Sequence, residues 1–151
     1  MTGAQDTATL IIQQPLNEAV KLLRRALAEG GLEIAAGLDM AGRIRKALRI
    51  DFPQCRVLCV DSPLALLEAL ALDRSAAVLL PMHLVVTGQD GVTLVHLLNP
   101  AAALYSGLPV TARAAVSKLQ ARVAQAVESV SIRQNPLEIT VKRRHHVSQS
   151  R

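Results

Sequence analysis

Apolar positions along this chain switch between two spacings, and the switches mark its elements. Leu10-Ile11-Ile12 is a short apolar run closed by Pro15 and predicts a strand. Leu16, Val20, Leu23 and Leu27 then recur at helical spacing, with Glu18, Lys21, Arg24 and Arg25 on the other side. Gly30-Gly31 ends that helix as a C-terminal cap pair. Leu32 to Leu38 predicts a second strand. Asp39 can cap a short helix through Arg49 that turns Met40, Ile44 and Leu48 inward and Arg43, Arg45, Lys46 and Arg49 outward. Phe52-Pro53 leads into a third strand, and Phe52 is expected to anchor the core.

Ser62 is a good N-cap and Pro63 a good first helical residue, so Pro63 to Leu72 predicts a helix. Ala76 to Thr87 and Val92 to Leu98 predict a hairpin around Gly88-Gln89-Asp90-Gly91, which Asn99-Pro100 ends. Pro109-Val110-Thr111 opens a last long helix on which Val116, Leu119, Val123, Ala126 and Val130 share a stripe. Mixed elements with an antiparallel hairpin imply an α+β fold, a mainly antiparallel sheet with helices packed on one face. Residues 8–130 read as a single domain and 131–151 as a C-terminal extension. Within that extension Leu137, Ile139 and Val141 alternate with polar residues, so 137–142 could add a strand to a sheet edge. The basic remainder reads as disordered.

The stretch from Leu48 carries a resemblance. Leu48-Arg49-Ile50-Asp51-Phe52-Pro53, Val57-Leu58, Ser62-Pro63-Leu64-Ala65, Glu68-Ala69-Leu70 and Leu79-Leu80-Pro81 resemble domain-of-unknown-function family 302 of bacteria and archaea. The resemblance spans about residues 10 to 130. It implies a small sheet covered by helices, similar to half of a TATA-binding-protein-like fold, and pairing as a homodimer. It implies no settled activity. Many relatives carry cysteines where this chain has Asp61 and Met82, and an Asn where it has His83. A thiol-based role in a relative therefore does not carry over.

Composition narrows the functions. A chain of 151 residues, half of them apolar but with one Phe, one Tyr and no Trp, builds its core from aliphatic side chains. Too few rings exist for base-stacking platforms. The net charge of +5 is mild, and nucleic acid is not an expected partner. Met1 to Thr9 lacks the basic start and apolar centre of a secretory signal, and no run reaches the roughly 18 apolar residues that a membrane span needs. The expectation is a cytoplasmic protein with no membrane partner. Cys55 and Cys59 lie four residues apart on one strand, roughly 13 Å, too far for a disulfide whose Cα atoms must come within about 7 Å. Both are expected to be small buried hydrophobes.

Candidate chemistry centres on two histidines. A two-residue turn at Asp90-Gly91 sets His83 opposite Leu98 and His96 opposite Val85; a four-residue loop sets His83 opposite His96. Both registers put the imidazoles on one sheet face, about 4.5 to 8 Å apart. With Asp61 they could form an acid–base pair or bind a divalent metal. A metal site wants three or four ligands, so no metal and no cofactor are assigned, and packing is the plain alternative. Arg43, Arg45, Lys46 and Arg49 could hold an anion, or could be the solvated side of an amphipathic helix. No phosphate loop or serine-hydrolase arrangement is present.

Together with the pairing that the family resemblance implies, these features lead to the expectation of a homodimeric ligand-binding or accessory domain. Its expected pocket for a small-molecule ligand lies between the sheet and the Pro63 helix, at Asp61, Ser62, His83 and His96. Two alternatives stay open at this level. One is a small metal-dependent or acid–base enzyme using His83, His96 and Asp61. The other is a nucleic-acid or acidic-partner binder using the Arg43–Arg49 face and the basic tail. No residue is named as catalytic.

Overall fold

Alternating strands and amphipathic helices fold here into one antiparallel sheet with its helical cover. The computed structural model describes residues 7–98 and 110–133. The chain runs β1 (Thr7–Ile12), α1 (Leu16–Glu29), β2 (Glu33–Asp39), α2 (Met40–Leu48), β3 (Cys55–Asp61), α3 (Pro63–Leu72), a 3-10 turn (Arg74–Leu79), β4 (Met82–Gln89), β5 (Val92–Leu98), α4 (Val110–Ser129) and β6 (Ile132–Arg133). The sheet order is β2-β3-β4-β5-β1-β6, and every pairing is antiparallel. This is the α+β fold that the pattern predicts.

The period of two in the strands decides the two faces. Leu10 and Ile12, Leu58 and Val60, Leu84 and Val86, and Val95 and Leu97 point to one face and are buried. Leu16, Ala19, Leu23 and Leu27 of α1 pack there, with Val116, Leu119, Val123 and Val127 of α4. Arg122 fastens the two helices by donating to the carbonyl of Gly30, 2.6 Å away at the end of α1. Thr93 is a buried polar residue on this face, and its hydroxyl donates to the carbonyl of Gln14 at 2.9 Å. A buried hydroxyl satisfied in this way avoids its desolvation penalty.

Local signals hold where chemistry enforces them. Pro63 opens α3, and the Ser62 hydroxyl accepts from the Ala65 amide at 3.1 Å. Asp39 caps α2 by accepting from the Gly42 amide at 2.9 Å. Asp90 (φ 51°) and Gly91 (φ 77°) make the tight two-residue turn whose twist suits a hairpin.

Three expectations need correction. Residues 76–79 are not strand: the Asp73 carboxylate accepts from the Ser75 amide and starts a 3-10 turn that buries Ala76 against Ala69. The ladder of β4 begins only after Pro81, which has no N–H to give it. The helix α2 does not turn Leu48 inward, since that side chain is 63% exposed; Ala41 is the buried residue of the helix. Phe52 is no core anchor either, at 47% exposed. Both lie beside the edge strand β2, which is itself almost wholly exposed, and among the described residues neither side chain is covered. The strand expected at 137–142 lies outside the described residues; β6 pairs with β1 through Ile11 and Ile132.

Candidate site on the open sheet face

The second face of the sheet carries no described helix. Alternation puts Cys55, Val57, Cys59 and Asp61 of β3 on it, together with His83, Val85 and Thr87 of β4, Leu94, His96 and Leu98 of β5, and Thr7, Thr9 and Ile11 of β1. Cross-strand register orders them into rows. Leu38, Val57, Val85, His96 and Thr9 form one row. Ala36, Cys59 and His83 form the next, and Cys55, Thr87, Leu94, Ile11 and Ile132 lie on the other side. Charged side chains are scarce here in a chain carrying 17 basic and 12 acidic residues. Asp61 and its cross-strand neighbour Glu33 supply the acidic charge, both at one end of the face. No lysine or arginine stands in these rows.

The hairpin adopts the two-residue turn, so Val85 faces His96. His83, two residues before Val85, shares the face with His96 as its diagonal neighbour. The two rings differ in surroundings. His96 is half-buried, with Nδ1 3.0 Å from the Thr9 hydroxyl and Nε2 3.4 Å from the Thr87 hydroxyl. Burial lowers its pKa below the ordinary histidine value. His83 is exposed and, among the described residues, makes no side-chain hydrogen bond.

Asp61 ends β3 on this face, only 6% exposed. Burial, and secondarily the Glu33 carboxylate, raise its pKa above the ordinary aspartate value. Ser62 is buried and its hydroxyl is engaged in the α3 cap. The structure thus brings Asp61, His83 and His96 to one face and leaves Ser62 beneath it as a structural group. Among the described residues no three His, Cys, Asp or Glu side chains stand close enough to hold a metal ion.

Cys55 and Cys59 are free thiols, half-exposed on the open face rather than buried, because the described helices pack on the opposite side. Cys59 lies directly across from His83. Sequence reasoning misses that pair. A helix and a 3-10 turn separate β3 from β4, so no turn arithmetic links them as it links the two arms of the hairpin.

The basic residues of α2 lie apart from this face. Arg43, Arg45, Lys46 and Arg49 are all exposed, and Arg45 pairs with Asp51 at 3.2 Å. Two of them, Arg45 and Lys46, sit in the last turn, where cations suit the helix dipole. A small cavity of about 130 Å³ opens beside the start of α2, between Asp39, Arg45, Gln54 and Arg56. Arg56 there donates to Asn17 at 2.9 Å. No described helix is long and apolar enough to cross a membrane.

Comparison with known proteins agrees with this architecture. The family model for the domain of unknown function DUF302 matches residues 8–130. The crystal structure of an uncharacterized conserved DUF302 protein from Bacillus stearothermophilus superposes with a TM-score of 0.76 at 18% identity, covering 84% of this chain and 99% of that one. At that identity the likeness speaks for the fold. None of the curated proteins compared with the chain matches it.

Proposed function

The chain belongs to the DUF302 family, and from that premise we propose that it works as a homodimeric ligand-binding or accessory module. Its working surface is the open face of the sheet. The observation that carries this reading is the composition of that face. A solvent-washed sheet face in a monomer is normally studded with charged residues, whereas this one presents Val57, Val85, Leu94 and Ile11 with threonines, histidines and thiols. Such a surface favours a partner over water.

Asp61, His83 and His96 are the polar groups that a small-molecule ligand would meet there. The face has no lysine or arginine in its rows, which disfavours phosphate-rich partners, since nucleic-acid affinity comes largely from Lys and Arg contacts to the phosphate backbone. Two unpaired cysteines suit a reducing compartment, and we place the module in the cytoplasm. Light scattering at micromolar concentration tests the dimer: twice the 16.2 kDa chain mass supports it, and a single-chain mass contradicts it.

A further inference from the structure

Cys59 and His83 face each other across β3 and β4 on the uncovered side of the sheet. Directly opposed residues in an antiparallel pair hold their Cβ atoms about 4.5 to 5.5 Å apart. That spacing lets a thiolate sulfur at about 2.3 Å and an imidazole nitrogen at about 2.0 Å reach one zinc-type ion. Neither side chain makes a hydrogen bond among the described residues, in contrast to His96, whose two ring nitrogens lie beside threonine hydroxyls. Two ligands are half of a structural zinc site, which takes four in a tetrahedron.

We propose that Cys59 and His83 are half of a soft divalent-cation site that a second copy of the chain completes, giving two thiolates and two imidazoles on a twofold axis. The proposal rests on the reading of the open face as the dimer surface. An axis parallel to the strands, between β3 and β4, sets Cys59 of one copy over His83 of the other. Strands of the two sheets then run side by side, close to the aligned class of sheet packing. Packed sheets stand about 10 Å apart. Each copy therefore spans about 5 Å to the axis, the reach of one short side chain plus a metal–sulfur bond of about 2.3 Å.

The same axis stacks four of the five longer strands. At about 4.8 Å per strand and 3.4 Å per residue their footprint is roughly 450 Å² per copy, the same order as the ~800 Å² of accessible surface per partner in a standard interface. Electrostatics agree with the chemistry. Asp61 follows Cys59 by two residues on the same face and pairs with Glu33, so carboxylates gather at this end and favour a cation. Each thiol loses its proton to solvent as it coordinates.

The test uses the full chain, loaded with cobalt(II) as a coloured stand-in for zinc. The expected result is half an equivalent of metal per chain, a dimeric mass, and a thiolate-to-cobalt charge-transfer band. Cys59→Ser and His83→Ala remove the band, while a His145→Ala, His146→Ala variant keeps it. The tail histidines cannot supply the thiolate signal. A wild-type protein without the band overturns the site whether or not the variants fold, as does a band retained by Cys59→Ser. A dimer that takes up no cobalt removes the site and leaves the homodimer standing. A monomer with and without metal removes both.

Discussion

His96 of β5 and Thr9 of β1 are cross-strand partners, and the Thr9 hydroxyl lies 3.0 Å from the His96 Nδ1. Burial holds this ring in its neutral form below the ordinary histidine pKa. The unfolded chain therefore takes up a proton at a higher pH than the folded one. Stability contributed by neutral His96 is present above about pH 6.5 and is lost as pH falls toward the lowered folded pKa. Denaturant midpoints at pH 7.5 and 5.5 should fall together with pH in the wild type and change less in His96→Asn. Thr9→Val should cost about 0.5 to 1.5 kcal/mol at neutral pH, the net worth of one hydrogen bond.

Asp61 gives the opposite sign. Its raised pKa means that the folded state keeps a proton that the unfolded chain has released, so the group contributes stability below its unfolded value of 3.8 and loses it as pH rises through the folded pKa. Asp61→Asn removes that loss. The variant should melt at a higher temperature than wild type at pH 7, with the difference narrowing toward pH 3.5. A lower melting temperature at pH 7 would mean that the carboxylate has a stabilising partner.

Phe52 and Leu84 are both large and apolar, yet their substitutions should differ sharply. Leu84 is fully buried beneath the helices, and Leu84→Ala should cost about 2 to 5 kcal/mol. Phe52→Ala, at a half-exposed ring beside the edge strand, should cost less than about 1 kcal/mol. Chemical denaturation of the two variants checks the contrast.

Ser62 lies within the expected binding region, but its hydroxyl caps α3. Ser62→Ala should cost about 1 kcal/mol, and Ser62→Asp, which keeps a capping oxygen, should recover most of it. Thermal melts of both variants distinguish the cap from a ligand contact.

The parts of the fold that were legible in the sequence are those with strong local chemistry. Ser62-Pro63 announces a helix start, and Asp90-Gly91 announces a turn that only positive φ angles satisfy. The α4 stripe of Val116, Leu119 and Val123 needs only its period to show which side is buried. Leu48 and Phe52 were misleading because an apolar residue points inward only where another layer exists, and the position of β2 at the sheet edge is a tertiary fact. The site was legible by halves. Hairpin arithmetic puts His83 and His96 on one face, whereas the opposition of Cys59 and His83 depends on a pairing across a long connection. The missing lysines and arginines at alternate positions of β3, β4 and β5 were the available signal for the open face.

On the reading of this face as the dimer surface, Val85 stands in its middle, opposite Val57 on one side and His96 on the other. Val85→Lys places a charge there without touching the helical core. Leu67→Lys places the same charge on α3, where Leu67 is already exposed, and serves as the control. Sedimentation equilibrium at micromolar concentration should find wild type and Leu67→Lys at twice the 16.2 kDa chain mass and a folded Val85→Lys at the single-chain mass. A folded Val85→Lys that stays dimeric, or a monomeric wild type, would rule this face out as the dimer surface.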